Sequence, residues 1–94
     1  MSIYKGGYII IDIGGADVFG DDPPTISGIY TKLTESYGKP VIFKNFIANS
    51  VHYDYAQMTS VYIDEGIYTF FAFLGAGIIV QVASDDSVTV TVIE

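Results

Sequence analysis

The sequence contains no cysteine and no arginine, and its charge is strongly one-sided. Without cysteine the chain can form no disulfide framework, thiolate nucleophile or cysteine-ligated metal site. Eleven acidic residues stand against four basic ones, which gives a formal net charge of −7. Nucleic-acid binding and anionic membranes both require clustered Lys and Arg. The composition therefore predicts that neither nucleic acid nor a membrane is a partner.

Apolar residues are abundant by comparison. Half of the 94 residues are hydrophobic and 15% are aromatic, whereas only 16% are charged. A chain of this length fits one domain, residues 1–94, and a small domain exposes a large share of its surface. Because few charged side chains are present to cover that surface, we expect part of it to meet a partner.

The first half of the chain alternates between apolar runs and irregular segments. Residues 8–13 form an isoleucine-rich run of strand length between glycine pairs, which predicts a buried strand. The segment 14–24, rich in Gly, Asp and Pro, predicts a loop. Residues 41–43 begin a second strand, and the mixed stretch 45–55 has no clear period, so we predict an irregular crossover there.

One amphipathic α-helix is predicted at about residues 26–37. Its apolar side chains recur at spacings of three and four, which places them on one face. These side chains are Ile26, Ile29, Tyr30, Leu33 and Tyr37. Thr25 or Ser27 is the expected capping hydroxyl, and Gly38 is expected to end the helix.

The second half of the chain predicts a four-stranded antiparallel meander. Short turn segments separate four runs rich in β-branched and aromatic residues, and turns this short force neighbouring strands to be antiparallel. The four runs are residues 58–63, 67–74, 78–83 and 88–93. The predicted fold class is therefore α+β, mostly β, with an antiparallel sheet, a C-terminal meander and one amphipathic helix.

The run 67–74 is apolar on both of its faces. A single helix cannot cover both faces, so either the strands at 8–13 and 41–43 complete a sandwich or barrel, or a second copy of the chain covers the open face. We favour a second copy. The expected oligomer interface comprises Tyr68, Phe70, Phe71, Phe73 and Leu74.

The segment 66–84 carries no formal charge and has the length of a membrane-spanning helix. Its glycines, its β-branched and aromatic residues, and the lack of Lys or Arg anchors at its ends favour strands instead. A small membrane protein is therefore the less favoured alternative.

No catalytic, metal or cofactor signature is present in the sequence. His52 is the sole histidine, and it has no accompanying nucleophile motif. The aspartates near the 14–24 loop do not follow the spacing of a calcium loop, and its glycines do not follow that of a dinucleotide fingerprint. We therefore expect no catalytic residues, no cofactor and no metal, and a protein that is not an enzyme.

A polar stretch with aromatic residues is the candidate ligand site. His52, Tyr53 and Tyr55 lie in the predicted crossover, and tyrosines concentrate at binding surfaces. This possible ligand loop supports an alternative function, a carbohydrate- or protein-binding module.

Four stretches together resemble the short structural accessory proteins of tailed bacteriophages and prophages, of the head-fibre or virion-decoration type. The stretches are residues 4–12 (YKGGYIIID), 25–30 (TISGIY), 38–41 (GKPV) and 84–90 (SDDSVTV). The resemblance implies a non-enzymatic virion protein that self-assembles as a homo-oligomer, with a trimer favoured, and contacts other virion proteins or a host surface. It also implies synthesis in the cytoplasm of a bacterial host.

Overall fold

The computed structural model describes residues 8–19, 22–58, 60–74 and 76–93, and it contains mainly β-structure. The elements in chain order are β1 (Ile9–Asp12), α1 (Ile29–Glu35), β2 (Val41–Ala48), β3 (Val51–Gln57), β4 (Ser60–Asp64), β5 (Ile67–Leu74), β6 (Ala76–Ala83) and β7 (Val88–Ile93). The fold class predicted from the sequence, mostly β with one helix, is confirmed.

The strands form two sheets. β1, β2 and β3 make a three-stranded sheet in which β1 is parallel to β2 and β3 is antiparallel to it. β4 to β7 make a four-stranded sheet in which every neighbour is antiparallel and consecutive in the chain. The C-terminal meander is therefore confirmed.

A β-hairpin occupies the stretch 45–55, so the predicted irregular crossover is wrong. Asn49 and Ser50 have φ angles of 52° and 66° and form the tight turn between β2 and β3. The periodicity was hidden because Asn45, with φ of 59°, interrupts the pleat in the middle of β2. As a result Phe43 and Phe46, three residues apart, are both buried.

The hydrophobic core lies between the two sheets. Phe43 of β2 meets Phe70 of β5 edge to face, with ring centroids 5.1 Å apart. Among the described residues every buried side chain is apolar or tyrosine, and no buried polar side-chain atom lacks a hydrogen bond. The two sheets thus complete a sandwich within one chain, so the second copy that we expected to cover the Tyr68 and Phe70 face is not needed there.

The segment 16–19 joins the two sheets. The backbone of β2 bonds to it through Val18 N to Ile47 O at 2.8 Å and Ile47 N to Ala16 O at 2.9 Å. On its other side, Val90 N of β7 donates to Val18 O at 3.0 Å, and the Val18 side chain is buried in the core. The predicted loop therefore links the sheets; its residues Gly20 and Asp21 lie outside the described residues.

The helix is shorter than the predicted 26–37, and its cap comes from elsewhere. Its N-cap is Gly28, with φ of 78°, so Thr25 and Ser27 are not the caps. Asp86, in the turn between β6 and β7, accepts hydrogen bonds from Gly28 N and Tyr30 N, each at 3.0 Å. A helix of seven residues is unstable alone, so tertiary contacts must hold it.

Most of the predicted apolar helix face packs on the core. Ile29 and Leu33 are buried, and Ile26 and Tyr30 pack against the core while partly exposed. Tyr37 is 62% exposed because the helix ends at Glu35, before its position.

No helix in the described ranges is both long enough and apolar enough to cross a bilayer. The segment 66–84, which suggested a membrane-spanning helix, contains the antiparallel strands β5 and β6.

Replacing Asp86 by Ala should lower the free energy of unfolding by about 2 kcal/mol, because two N–H groups at the start of α1 lose their acceptor. Urea unfolding followed by circular dichroism measures the change. Asp86 has φ of 71°, which glycine adopts without strain, so Asp86→Gly separates cap loss from backbone strain. The matched control is Asp64→Ala, at the exposed end of β4. An equal effect at Asp64 would contradict the capping role.

Ser87 should control the ionisation of Asp85. The Ser87 hydroxyl donates to Asp85 Oδ1 at 2.7 Å and the Ser87 N–H at 3.0 Å, and these bonds hold the pKa of Asp85 below its ordinary value of 3.8. A lowered folded-state pKa stabilises the fold above pH 3.8, and this contribution is lost as the pH falls below that value.

Ser87→Ala should raise the pKa of Asp85 towards 3.8, as measured by NMR titration of its carboxyl carbon. Ser84→Ala, in the same turn, is the control. If the two variants titrate alike at Asp85, the Ser87 hydroxyl is not the cause.

Candidate functional site

The outer face of the three-stranded sheet gathers polar and aromatic side chains. We call this surface the polar sheet face and define it by Tyr8, Asp12, Asn45, His52, Tyr55 and Gln57. The strand register explains the grouping: Asp12 pairs with Lys44 and Lys44 with Tyr55, while Ile42 pairs with Gln57. Ile10 and Ile42 pair with each other on the same face and form an apolar patch among these polar side chains.

A chain of hydrogen bonds crosses this face from β1 to β3. Asn45 Nδ2 donates to Asp12 Oδ1 at 3.4 Å, and Asn45 Oδ1 lies 2.9 Å from His52 Nε2. The other ring nitrogen of His52, Nδ1, lies 3.3 Å from Asp54 Oδ1. Asp12 Oδ1 also accepts from Gly14 N at 2.8 Å. Each side chain is thus oriented by its neighbour.

Two tyrosines of the polar sheet face are exposed, and a neighbour orients each. Tyr8 is 44% exposed, and its hydroxyl accepts a hydrogen bond from Gln57 Nε2 at 3.3 Å. Tyr55 is 60% exposed, and Lys44 Nζ lies 5.6 Å from the centre of its ring. A cation at that distance is attracted to the ring.

The structure separates the residues of the predicted ligand loop. His52 and Tyr55 lie on the polar sheet face, but on strand β3 rather than in a loop. Tyr53 lies apart from them, because its ring stacks on buried Phe46 with centroids 5.1 Å apart. Whether His52 and Tyr55 bind a ligand stays a prediction.

Sequence reasoning missed four members of the polar sheet face: Tyr8, Asp12, Asn45 and Gln57. The alternation of β1 was a usable signal for Asp12, since Ile9 and Ile11 point inwards and the residues between and after them point outwards. No comparable signal existed for Asn45, whose positive φ breaks the alternation of β2.

Two of the aspartates in and before the 14–24 segment, Asp12 and Asp17, bind nearby backbone N–H groups. Asp12 accepts a hydrogen bond from Gly14 N, and Asp17 accepts one from Phe19 N at 3.1 Å. In the described ranges no three His, Asp or Glu side chains are grouped closely enough to hold a metal ion.

Two cavities lined by described residues are small. One lies beside α1 against Leu33, Tyr37 and Tyr68 and has a volume of about 10 Å³. That is room for about one water molecule. A second, between Phe46 and Val90, has essentially none. A ligand of either region would therefore bind on the surface.

The outer face of the four-stranded sheet is different in character. We call it the uncharged sheet face and define it by Tyr62, Thr69, Phe71, Ile79, Gln81 and Thr91, which the register places side by side. None of these side chains is charged, and Tyr62 is 60% exposed. The end of the Phe71 ring covers Gly77, where a Cβ would lie 3.4 Å from Phe71 Cζ.

The predicted oligomer interface is corrected in part. Tyr68 and Phe70 are 3% and 1% exposed and belong to the chain's own core, so they are not interface residues. Alternation along β5 places Phe71 on the opposite, partly exposed face. The side chains of Phe73 and Leu74 lie outside the described residues.

The fold and these surfaces define a small β-sandwich with two unlike sheet faces, one polar and aromatic and one uncharged. No protein-family model, curated protein or solved structure matches the chain.

Phe70→Ala should lower the free energy of unfolding by about 3–5 kcal/mol, because it opens a cavity at the contact with Phe43. Phe71→Ala should lower it by less than half as much, since Phe71 is partly exposed. Urea unfolding at two protein concentrations measures both. If the midpoint of the native chain rises with protein concentration and this dependence is lost in the Phe70 variant but kept in the Phe71 variant, Phe70 lies in an interface after all.

Proposed function

We propose that this protein is a non-enzymatic structural protein of a bacteriophage or prophage, of the head-fibre, tail-fibre or decoration type, which acts by self-assembly and binding. The observation that carries the self-assembly is the uncharged sheet face on a chain whose net charge is −7. The resemblance of the sequence to phage accessory proteins supports the class.

Charge favours a second copy as the occupant of the uncharged sheet face. Two copies each carrying −7 repel one another wherever acidic side chains approach. Like charges brought together are strongly unfavourable once water is excluded, and the centres of protein interfaces are depleted of charge. Of the strand residues that the register places on this side of the four-stranded sheet, only Asp64, at the end of β4, is charged. Two copies that meet over the six uncharged residues therefore bring few carboxylates together.

The dimensions of this face come close to those of a specific interface. Strands of five, eight, eight and six residues, at about 3.3 Å per residue and about 4.8 Å apart, cover roughly 430 Å² on each copy. Two such faces cover roughly 860 Å² together, somewhat below the roughly 1,000 Å² that specific association needs. Side chains projecting from the sheet add to this area.

The proposed assembly is a closed homo-oligomer, with a trimer favoured. Closed symmetry is the common solution for copies of one chain and limits further growth. Other virion proteins or a host surface are the proposed further partners. The protein would be made in the host bacterial cytoplasm and reside in the virion.

The purified chain should sediment as an oligomer at micromolar concentration, with a trimer at three times the 10.2 kDa chain mass. Tyr62→Lys combined with Thr91→Lys should convert it to monomers, because two buried ammonium groups would face the partner copy. Analytical ultracentrifugation measures the mass.

The matched control is Tyr37→Lys combined with Thr31→Lys. It also replaces one tyrosine and one threonine by lysine, and so adds the same charge, but on the helix side of the protein. Both double variants must keep the native circular dichroism spectrum. A native chain that stays monomeric, or dissociation by the control alone, would end the proposal of assembly through this face. A dimer would support assembly and contradict the trimer.

The phage assignment is tested separately by purifying particles from the bacterium that encodes the chain and quantifying the chain by mass spectrometry. A fixed copy number per particle is expected. Particles that lack the chain, together with metabolic genes flanking its own, would overturn the assignment.

A further inference from the structure

We infer that the polar sheet face is a binding surface for a neutral oligosaccharide. The inference stands on Tyr8, Asp12, Asn45, His52, Tyr55 and Gln57, and it does not depend on how copies of the chain assemble. The two proposed surfaces lie on opposite sheets of the sandwich.

Hydrogen-bonding capacity is the first argument. Along this face a carboxylate, two amides and an imidazole lie within three adjacent strands, so donors and acceptors alternate over a short distance. Asp12 accepts from Gly14 and from Asn45 on the same oxygen, Oδ1, so its Oδ2 can accept from a ligand. Sugar hydroxyls donate and accept at once, so they match such a mixed set.

The exposed tyrosines are the second argument. Tyr8 and Tyr55 are separated by two strand spacings and about four residues, which corresponds to roughly 16 Å. A tyrosine offers a flat apolar ring with a polar tip, which suits the apolar C–H face of a pyranose ring next to its hydroxyls. Two such rings with Ile10 and Ile42 between them form a platform for a short extended oligosaccharide.

The charge distribution selects a neutral sugar over other ligands. The net charge of −7 repels nucleic acid and acidic glycans. A protein partner would exclude water from Asp12, Lys44 and Asp54, whereas the centres of protein interfaces are poor in charged residues. A bound sugar can form hydrogen bonds to these charged groups through its hydroxyls, and it leaves those at its edges in contact with water. The uncharged sheet face, by contrast, has the composition that a protein partner requires.

Preorganisation is the third argument. The hydrogen bonds from Asp12 through Asn45 to His52 hold those side chains in place, Gln57 holds the Tyr8 hydroxyl, and Lys44 holds the Tyr55 ring. Side chains that are already ordered lose less conformational entropy when a ligand binds.

The test is an NMR titration of the ¹⁵N-labelled full chain with cellohexaose, maltohexaose, laminarihexaose, xylohexaose, mannohexaose and chitohexaose, one at a time. At least one should bind with a Kd of about 1 mM or tighter, and the largest shifts should fall in β1, β2 and β3. An oligogalacturonate of the same length is the anionic comparison and should not bind.

Tyr55→Ala should weaken binding about tenfold or more, because the stacking ring is lost. Tyr55→Phe keeps the ring and should stay within about threefold of the native chain. Tyr37→Ala is the matched control, since Tyr37 is 62% exposed against 60% for Tyr55 and lies on neither sheet face.

Three results would overturn the inference. The first is no shift with any neutral hexasaccharide. The second is binding that Tyr37→Ala weakens as much as Tyr55→Ala does. The third is preferential binding of the oligogalacturonate. A Tyr55→Ala variant that loses binding while its unfolding curve is unchanged supports it.

Discussion

The two sheets are one structure because the backbone of residues 16–19 bonds to both of them. Val18 accepts from Val90 on β7 and donates to Ile47 on β2, while its side chain fills the space between the sheets. Neither sheet could bury its apolar face alone, and no disulfide is available to hold the pair. The Val18 side chain lies in the same core as the contact between Phe43 and Phe70. The side chains that point away from this core form the two outer sheet faces.

Sequence reasoning predicted the local features of the fold and missed the long-range ones. The meander followed from alternating residues and from short turns such as residues 64–66, where the positive φ of 78° suits Gly66. The bridge at Val18 and the cap from Asp86 join residues far apart in the chain, and no periodicity reports such contacts. The preference for a second copy over a sandwich was wrong for Tyr68 and Phe70. The helix α1 covers Tyr68 through Tyr30, and β2 covers Phe70 through Phe43.

The polar sheet face was predictable only in part, because its residues come from three strands whose pairing a single sequence does not show. His52 and Tyr55 stood out by residue type, but the prediction included Tyr53, which packs against Phe46. Asn45 reverses the alternation of β2, and its partner strand follows, so side chains that looked adjacent in sequence point to different sides. Tyr8 and Asp12 come from β1, whose parallel pairing with β2 cannot be read from a single sequence.

The cap on α1 also has a consequence for biosynthesis. Asp86 binds Tyr30 across 56 residues of sequence, and the hairpin that carries it emerges from the ribosome long after the helix residues. The nascent segment that becomes α1 therefore lacks this cap until the turn between β6 and β7 has been translated. A chain with so many distant contacts should fold slowly, after its synthesis rather than during it.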